Sequence, residues 1–238
     1  MLTRLVRKQS LIVLLATAVL FTGCAGLPAG YNSSGNYVVR KGDTLYSIAF
    51  RYGLDFKSLA RVNRIGPPYI IYANQVLRLR GSAAASTEKD RGPSTSSKKP
   101  ARTIKSPPVP DTPKGPVVGW RWPLKGGLIE KFGAGSPPNK GIDISAERGS
   151  RVVATADGVV VYAGGNLRGY GKLVIIKHNE NFLSAYGNNE KLLVSEGDSV
   201  KAGSAIARVG RSAANVDMLH FEVRRNGKPV DPLVYLPK

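Results

Sequence analysis

Histidine and cysteine are almost absent from this 238-residue chain, which holds two histidines, His178 and His220, and one cysteine, Cys24. A single cysteine excludes any intramolecular disulfide, and with it a disulfide scaffold. Two histidines are too few to cover both metal ligation and proton handling at a hydrolytic zinc site, which needs about three protein ligands and an open water position. Acidic residues are scarce as well: 16 Asp+Glu stand against 35 Lys+Arg, leaving a net charge of +19. The excess is spread along the chain and not gathered in a tail, which suits a polyanionic neighbour such as nucleic acid, anionic lipid or an acidic wall polymer. No zinc-finger spacing, stacking-aromatic sheet signature or heptad-linked basic region accompanies it, so nucleic acid is not the expected partner.

Long hydrophobic runs are missing too, with one exception near the start. Arg4, Arg7 and Lys8 precede an apolar run from Leu11 to Phe21, which ends at Thr22-Gly23-Cys24. The run is short for a membrane span and reads as a signal peptide over residues 1–23. Two readings of its end stay open on the residues alone: a plain secretory signal with an incidental cysteine, or a cysteine that is itself modified. The segment "LFTGC" resembles a bacterial lipobox, with Phe21 departing from the usual leucine. That resemblance implies lipidation at Cys24 and a lipid-anchored tether over residues 24–36. With Ala25 after the cysteine, it also implies the inner leaflet of the outer membrane, facing the periplasm. Several acyl chains on one cysteine make a stable anchor.

Residues 37–80 read as a small α+β module. Tyr37-Val38-Val39 is strand-like, and Asp43 or Thr44 is placed to cap a helix carrying Leu45, Ile48, Ala49 and Tyr52 at helical spacing. Gly53 stops that helix. A second helix is expected over about Phe56 to Asn63, ended by Pro67-Pro68, and Val76, Leu77 and Leu79 suggest a closing strand. This strand–helix–helix–strand order, with "KGDTLYSIA" and "LARVNRI", resembles the LysM module, although Ala73-Asn74-Gln75 lacks the glycine often found before the glutamine. The resemblance implies binding to the N-acetylglucosamine-containing glycan strands of peptidoglycan. It places the sugar between the Gly42, Asp43, Thr44 loop and the loop from Ile65 to Ile71. Backbone amides in two fixed loops can grip acetamido groups while an apolar floor accepts the sugar faces.

Residues 81–118 are rich in Ser, Thr, Lys and Pro and lack apolar periodicity, so a disordered linker is expected there. A chain of that length spans roughly 30–37 Å root-mean-square, and more with this much proline.

From residue 119 to 238 the pattern changes to short apolar runs punctuated by glycine, such as "GIDIS", "RVVATADGVVVYAG", "KLVIIKH" and "SAIARVG". These predict an all-β domain of antiparallel hairpins. Alternation in "MLHFEVR" puts Leu219, Phe221 and Val223 on a core face and Met218, His220, Glu222 and Arg224 on the opposite one. Together with "NKGIDIS", "LRGYGKLVIIKHN" and "LHFEVRRNGKPVDPLVYLP", these segments resemble the LytM/lysostaphin family of zinc metallopeptidases. Active members of that family draw zinc ligands from an H-x-x-x-D motif and the second histidine of an H-x-H motif. Two further histidines handle the attacking water and the transition-state charge. By the same resemblance, Asp143 and His220 stand at ligand positions. Asn139 stands where a third ligand should be, and Asn188 and Met218 where the proton-handling histidines should be.

The expectation is therefore a degenerate peptidase fold with no catalytic residue, no metal and no cofactor. An amide oxygen at Asn139 is a poor zinc ligand. The loss of proton transfer at residues 188 and 218 removes assistance worth typically 10²–10⁴-fold. Met218 instead offers a soft, adaptable apolar contact in a groove that could hold a partner's helix or loop. The whole arrangement resembles the NlpD family of murein-hydrolase activators, including its YgeR-type relatives. That resemblance implies a partner-binding groove around Asn139, Asp143, Asn188, Met218 and His220. Its implied partner is a periplasmic N-acetylmuramoyl-L-alanine amidase that splits septal peptidoglycan during cell separation. Two alternatives stay open: a divergent zinc endopeptidase cutting peptidoglycan cross-links, and a purely glycan-binding envelope lipoprotein.

Overall fold

The computed structural model describes residues 35–80 and 115–238. The signal peptide, Cys24, most of the tether and most of the expected linker lie outside the described residues. Among the described residues, no helix is long and apolar enough to cross a membrane, which says nothing of a β-barrel.

The N-terminal module folds in the expected order. Strand β1 (Asn36–Val38) pairs antiparallel with β2 (Val76–Arg78), and helices α1 (Leu45–Tyr52) and α2 (Phe56–Val62) lie between them in sequence. Thr44, not Asp43, caps α1: its hydroxyl accepts from the Ser47 amide at 3.0 Å, and the Ser47 hydroxyl accepts from the Thr44 amide. Two otherwise orphaned amides are thereby satisfied. Gly53 takes the left-handed conformation at the other end, with φ +63°, and its amide closes the last turn. Asp43 is turned inward, where its carboxyl accepts from the Tyr37 hydroxyl at 2.6 Å and the Arg40 amide at 2.8 Å. Asn74 stands in the left-handed region with φ +70°, which asparagine tolerates, so the turn forms without the family's usual glycine.

The C-terminal domain is one antiparallel sheet system. Its strands are β3 (Gly127–Glu130), β4 (Ile142–Ser145), β5 (Arg151–Val153), β6 (Gly158–Gly164), β7 (Lys172–Lys177) and β8 (Phe182–Leu192). They continue as β9 (Ser199–Val200), β10 (Ala205–Arg211), β11 (Asp217–Arg225) and β12 (Lys228–Val230), before a short 3₁₀ turn at Pro232–Val234. Strand β11 is the hub. It pairs with β4 on one side, with β8 and then β10 on the other, and with β12 at its end. Strand β8 runs well past its apolar start because polar residues from Asn189 onward still pair with β10.

The alternation in β11 sorts its residues as expected. Leu219, Phe221 and Val223 are fully buried in a core with Ile142, Ile144, Tyr186 and Val209. Glu222 and Arg224, on the opposite face, are buried as well. A second core explains this. Leu45, Tyr46, Phe50 and Phe56 of the N-terminal module form one continuous cluster with Val161, Tyr162, Leu173, Ile175, Leu183 and Ala185 of the sheet. The module thus sits on the sheet, and α1 is buried from Leu45 through Phe50 on both its sides. At the start of the C-terminal domain, the Gly115 carbonyl accepts from the Asn179 side chain at 2.8 Å, so the domain's contacts begin before the expected boundary at 119.

Candidate functional site

Antiparallel register sets the centre of the site. His220 on β11 lies opposite Asp143 on β4 and opposite Gly187 on β8. A Cβ at Gly187 would come within 3.1 Å of the Tyr170 carbonyl oxygen, so glycine lets the β6–β7 loop close down at this point. The Tyr170 ring then lies beside the imidazole, with ring centroids 5.7 Å apart. His220 Nδ1 is 2.7 Å from Asp143 Oδ1, and Nε2 is 3.1 Å from Glu222 Oε1. Glu222 Oε1 also accepts from the Tyr170 hydroxyl at 2.8 Å, while Oε2 accepts from Arg224 Nε at 2.7 Å.

A ring facing carboxyl oxygens through both nitrogens donates to both only as the imidazolium. Burial works against that charge, but the hydrogen bonds His220 donates to Asp143 and Glu222, and the charges of those carboxylates, outweigh it, and the His220 pKa is raised to about 9. For Glu222 burial again opposes ionisation, and the hydrogen bond to His220 together with the Arg224 charge overcomes it, so its pKa is lowered. Tyr170 is pushed up by burial and by the neighbouring Glu222. The result is a chain of charge-assisted hydrogen bonds, Asp143–His220–Glu222–Arg224.

The remaining residues expected at the site do not join this chain of hydrogen bonds. Asn139 is half-buried, and its amide oxygen accepts from the Gly141 amide at 3.1 Å. Its Nδ2 is buried without a hydrogen-bond partner. Asn188 follows Gly187 in the left-handed region, φ +60°, and its amide donates to the Tyr170 carbonyl at 2.8 Å. Met218 is 8% exposed and lies opposite Ser145 on β4 and Gly210 on β10. Gly210 in turn passes so close to Asn188 that a Cβ there would meet the Asn188 carbonyl oxygen at 2.7 Å. Asp143 and His220 are therefore in direct contact; Met218 shares the His220 face of β11, Asn188 follows the glycine opposite His220, and Asn139 precedes β4. His178 is remote in role: it is 2% exposed, with one ring nitrogen 2.8 Å from the Asp157 carbonyl and the other 2.7 Å from the Ser184 hydroxyl. Among the described residues no group of three or more His, Cys, Asp or Glu side chains is arranged to hold a metal ion.

Two family models match this chain: Peptidase family M23 over residues 137–232, and the LysM domain over residues 37–80. The chain is 46% identical to the lipoprotein NlpD/LppB homolog of Pseudomonas aeruginosa, with 87% of this chain and 78% of that protein covered. It is 42% identical to the uncharacterized lipoprotein YgeR of Escherichia coli, over 97% of this chain and 94% of YgeR. It is 38% identical to the murein hydrolase activator NlpD of Salmonella typhimurium, over 89% and 71% of the two chains. This chain belongs to the NlpD family.

In this NlpD-family chain the sugar loops expected from sequence are unequally exposed. Gly42 is exposed, whereas Asp43 and Thr44 are buried; Ile65 is half-buried and Ile71 is buried in the module's core. Alternation alone puts Glu222 and Arg224 on the site's face but gives them no part in it. Their signal is present nonetheless: two charged residues alternate with His220 on a strand whose other face carries Leu219, Phe221 and Val223 between them. Tyr170 carries no comparable pattern, since a loop residue's contacts depend on how the loop folds back.

Proposed function

We propose that this chain is a non-catalytic activator of peptidoglycan hydrolases, held to the wall by residues 37–80 and engaging its partner through the groove around Asn139, Asp143, Asn188, Met218 and His220. The observation that carries this reading is the set of side chains expected around Asp143 and His220: Asn139, whose amide oxygen is taken by the Gly141 amide, with Asn188 and Met218. The residues present do not fit a catalytic zinc: Asp143 and His220 offer two candidate ligands where about three are needed. Asn139 turns its amide oxygen to the backbone and leaves a nitrogen, which is no metal ligand, in the buried position. Neither Asn188 nor Met218 exchanges a proton near neutral pH. What remains is a folded groove with a fixed polar floor and an adaptable methionine at its side, a binding surface without chemistry.

The names of the relatives support the activator role, and the LysM match supports docking on glycan strands. The partner proposed is a periplasmic N-acetylmuramoyl-L-alanine amidase, and the anchor is lipid on Cys24 in the inner leaflet of the outer membrane. An activator only has to bind the open amidase better than the closed one; a hundredfold effect needs roughly 2.7 kcal/mol of differential affinity. The test is dye release from labelled peptidoglycan by the chain alone, by periplasmic amidases alone, and by each mixture. Release by a mixture well above the sum of its parts is expected. Chelator-sensitive release by the chain alone, with stoichiometric zinc in the purified protein, would establish an M23 endopeptidase instead.

A further inference from the structure

The groove does not end where its named residues end. On β11, Met218, His220, Glu222 and Arg224 share one face in that order, and their partners on β8 share it too: Gly187 opposite His220, Ala185 opposite Glu222 and Leu183 opposite Arg224. Ile175 on β7 and Tyr162 on β6 extend the same surface sideways. The sheet face that carries His220 is therefore continuous with the apolar face on which the N-terminal module rests. Helix α1 occupies that continuation. The Phe50 carbonyl accepts from Arg224 Nη1 at 2.6 Å, the guanidinium lies 3.4 Å over the Phe50 ring, and the ring meets Tyr170 edge-on at 5.3 Å. The residues that close one end of the groove belong to the wall-binding module.

The same docking takes up the first sugar loop. The Thr44 hydroxyl, already used as a helix cap, donates to the Val161 carbonyl at 3.1 Å. A Cβ on Gly42 would lie 2.6 Å from Nδ2 of Asn166, an exposed side chain of the sheet domain that stands against this loop. The edge of the interface is ionic: Lys57 pairs with Glu180 at 2.6 Å, both partly solvent-exposed, and Lys177 reaches the same carboxyl group at 2.8 Å.

We propose that this docked arrangement is a closed state, in which α1 covers the continuation of the His220 face and Thr44 of the Gly42–Thr44 loop is held against the sheet, and that binding of wall sugar parts the two domains and bares that face to its protein partner. The proposal rests on the reading of residues 37–80 as a sugar-binding module. Sugar and partner each compete with the same closure, so each favours the other's binding without touching it.

The test uses the full chain with Cys24→Ser and spin labels on cysteines introduced at exposed Arg61 and Lys191, with a pentamer of N-acetylglucosamine as probe. Without sugar one narrow distance is expected; with saturating sugar, a longer and broader distribution. The Glu180→Lys variant, which sets a third cation against Lys57 and Lys177, is expected to bind the pentamer several-fold more tightly. The double variant Lys57→Glu/Glu180→Lys is expected to bind as the unaltered chain does. Sugar binding with unchanged distances, or equal affinity in all three chains, overturns the closed-state proposal and leaves the wall-docking reading intact. No sugar binding by any of them overturns both.

Discussion

Arg224 clamps Phe50 from two directions, donating to its backbone carbonyl at 2.6 Å while stacking over its ring at 3.4 Å. The same guanidinium holds Glu222 at 2.7 Å and the Tyr170 hydroxyl at 3.3 Å, and the residue is 2% exposed. Planar fork geometry makes these contacts possible together, and a lysine could not reproduce them. Arg224→Met keeps the apolar stem but strands Glu222 with one cation fewer. Breaking a buried pair in this way costs about 3–5 kcal/mol. Chemical denaturation of the full chain checks this, with Arg224→Lys expected between the two. A loss well under about 1 kcal/mol would show that the clamp is not what holds the domains together.

The two histidines bend the stability profile in opposite directions. His220 is raised from 6.5 to about 9 in the folded chain, so its contribution is complete below pH 6.5 and is lost as pH rises through 9. His178 is lowered to about 4 by burial, so it stays neutral in the fold while the unfolded chain takes up a proton; stability falls as pH drops from 6.5 toward 4. Each limb is worth up to about 3 kcal/mol by the usual conversion. The expected curve of unfolding free energy against pH is a maximum near neutrality. Replacing the paired imidazole with His220→Gln should flatten the alkaline limb and leave the acid limb. An imidazole NMR titration in which His220 loses its proton below pH 7 would contradict the pairing described above.

The parts of the fold that are legible in the sequence rest on local signals. Thr44 and Gly53 bracket α1 because capping chemistry is read within a few residues, and alternation places Leu219, Phe221 and Val223 in the core. The burial of Tyr46 and Phe50 is not legible in this way. Helical spacing assigns one apolar stripe to a helix, and here the module's own core accounts for it. The aromatics at the fourth-residue spacing on the other side are the sign of a second packing surface. Likewise, His220 and Asp143 can be named as site residues, but their contact depends on the register between β4 and β11. That register is fixed by pairing across 77 positions and by no feature of either segment alone.

Gly141 tests that register directly. It enters β4 fully buried, and a Cβ there would stand 2.1 Å from the Phe221 carbonyl oxygen and 2.9 Å from the Glu222 side chain. Backbone oxygen in the central strand has nowhere to move. Gly141→Ala should therefore push β4 off β11, at a cost of about 3 kcal/mol or more. Thermal unfolding measures it, and backbone amide shifts should locate the disturbance at Asp143 and His220. An alanine variant as stable as the parent would mean that β4 and β11 are not packed this closely.

Met218 separates a groove that binds from one that merely persists. It shares the His220 face of β11, at the end away from Arg224 and the docked module, with a small part of its surface reachable. Methionine adapts its three rotatable bonds to a partner, and leucine preserves most of that apolar contact. Met218→Leu should therefore stimulate a cognate amidase nearly as well as the parent. Met218→Gln matches the size but requires an amide to be desolvated on binding, a penalty of about 1–3 kcal/mol without a compensating hydrogen bond. Stimulation at limiting concentration should then fall roughly tenfold, since about 1.4 kcal/mol is a tenfold change in affinity. The unfolding midpoint of each variant, measured alongside, separates lost binding from lost fold. Equal stimulation by both well-folded variants would remove Met218 from the partner surface.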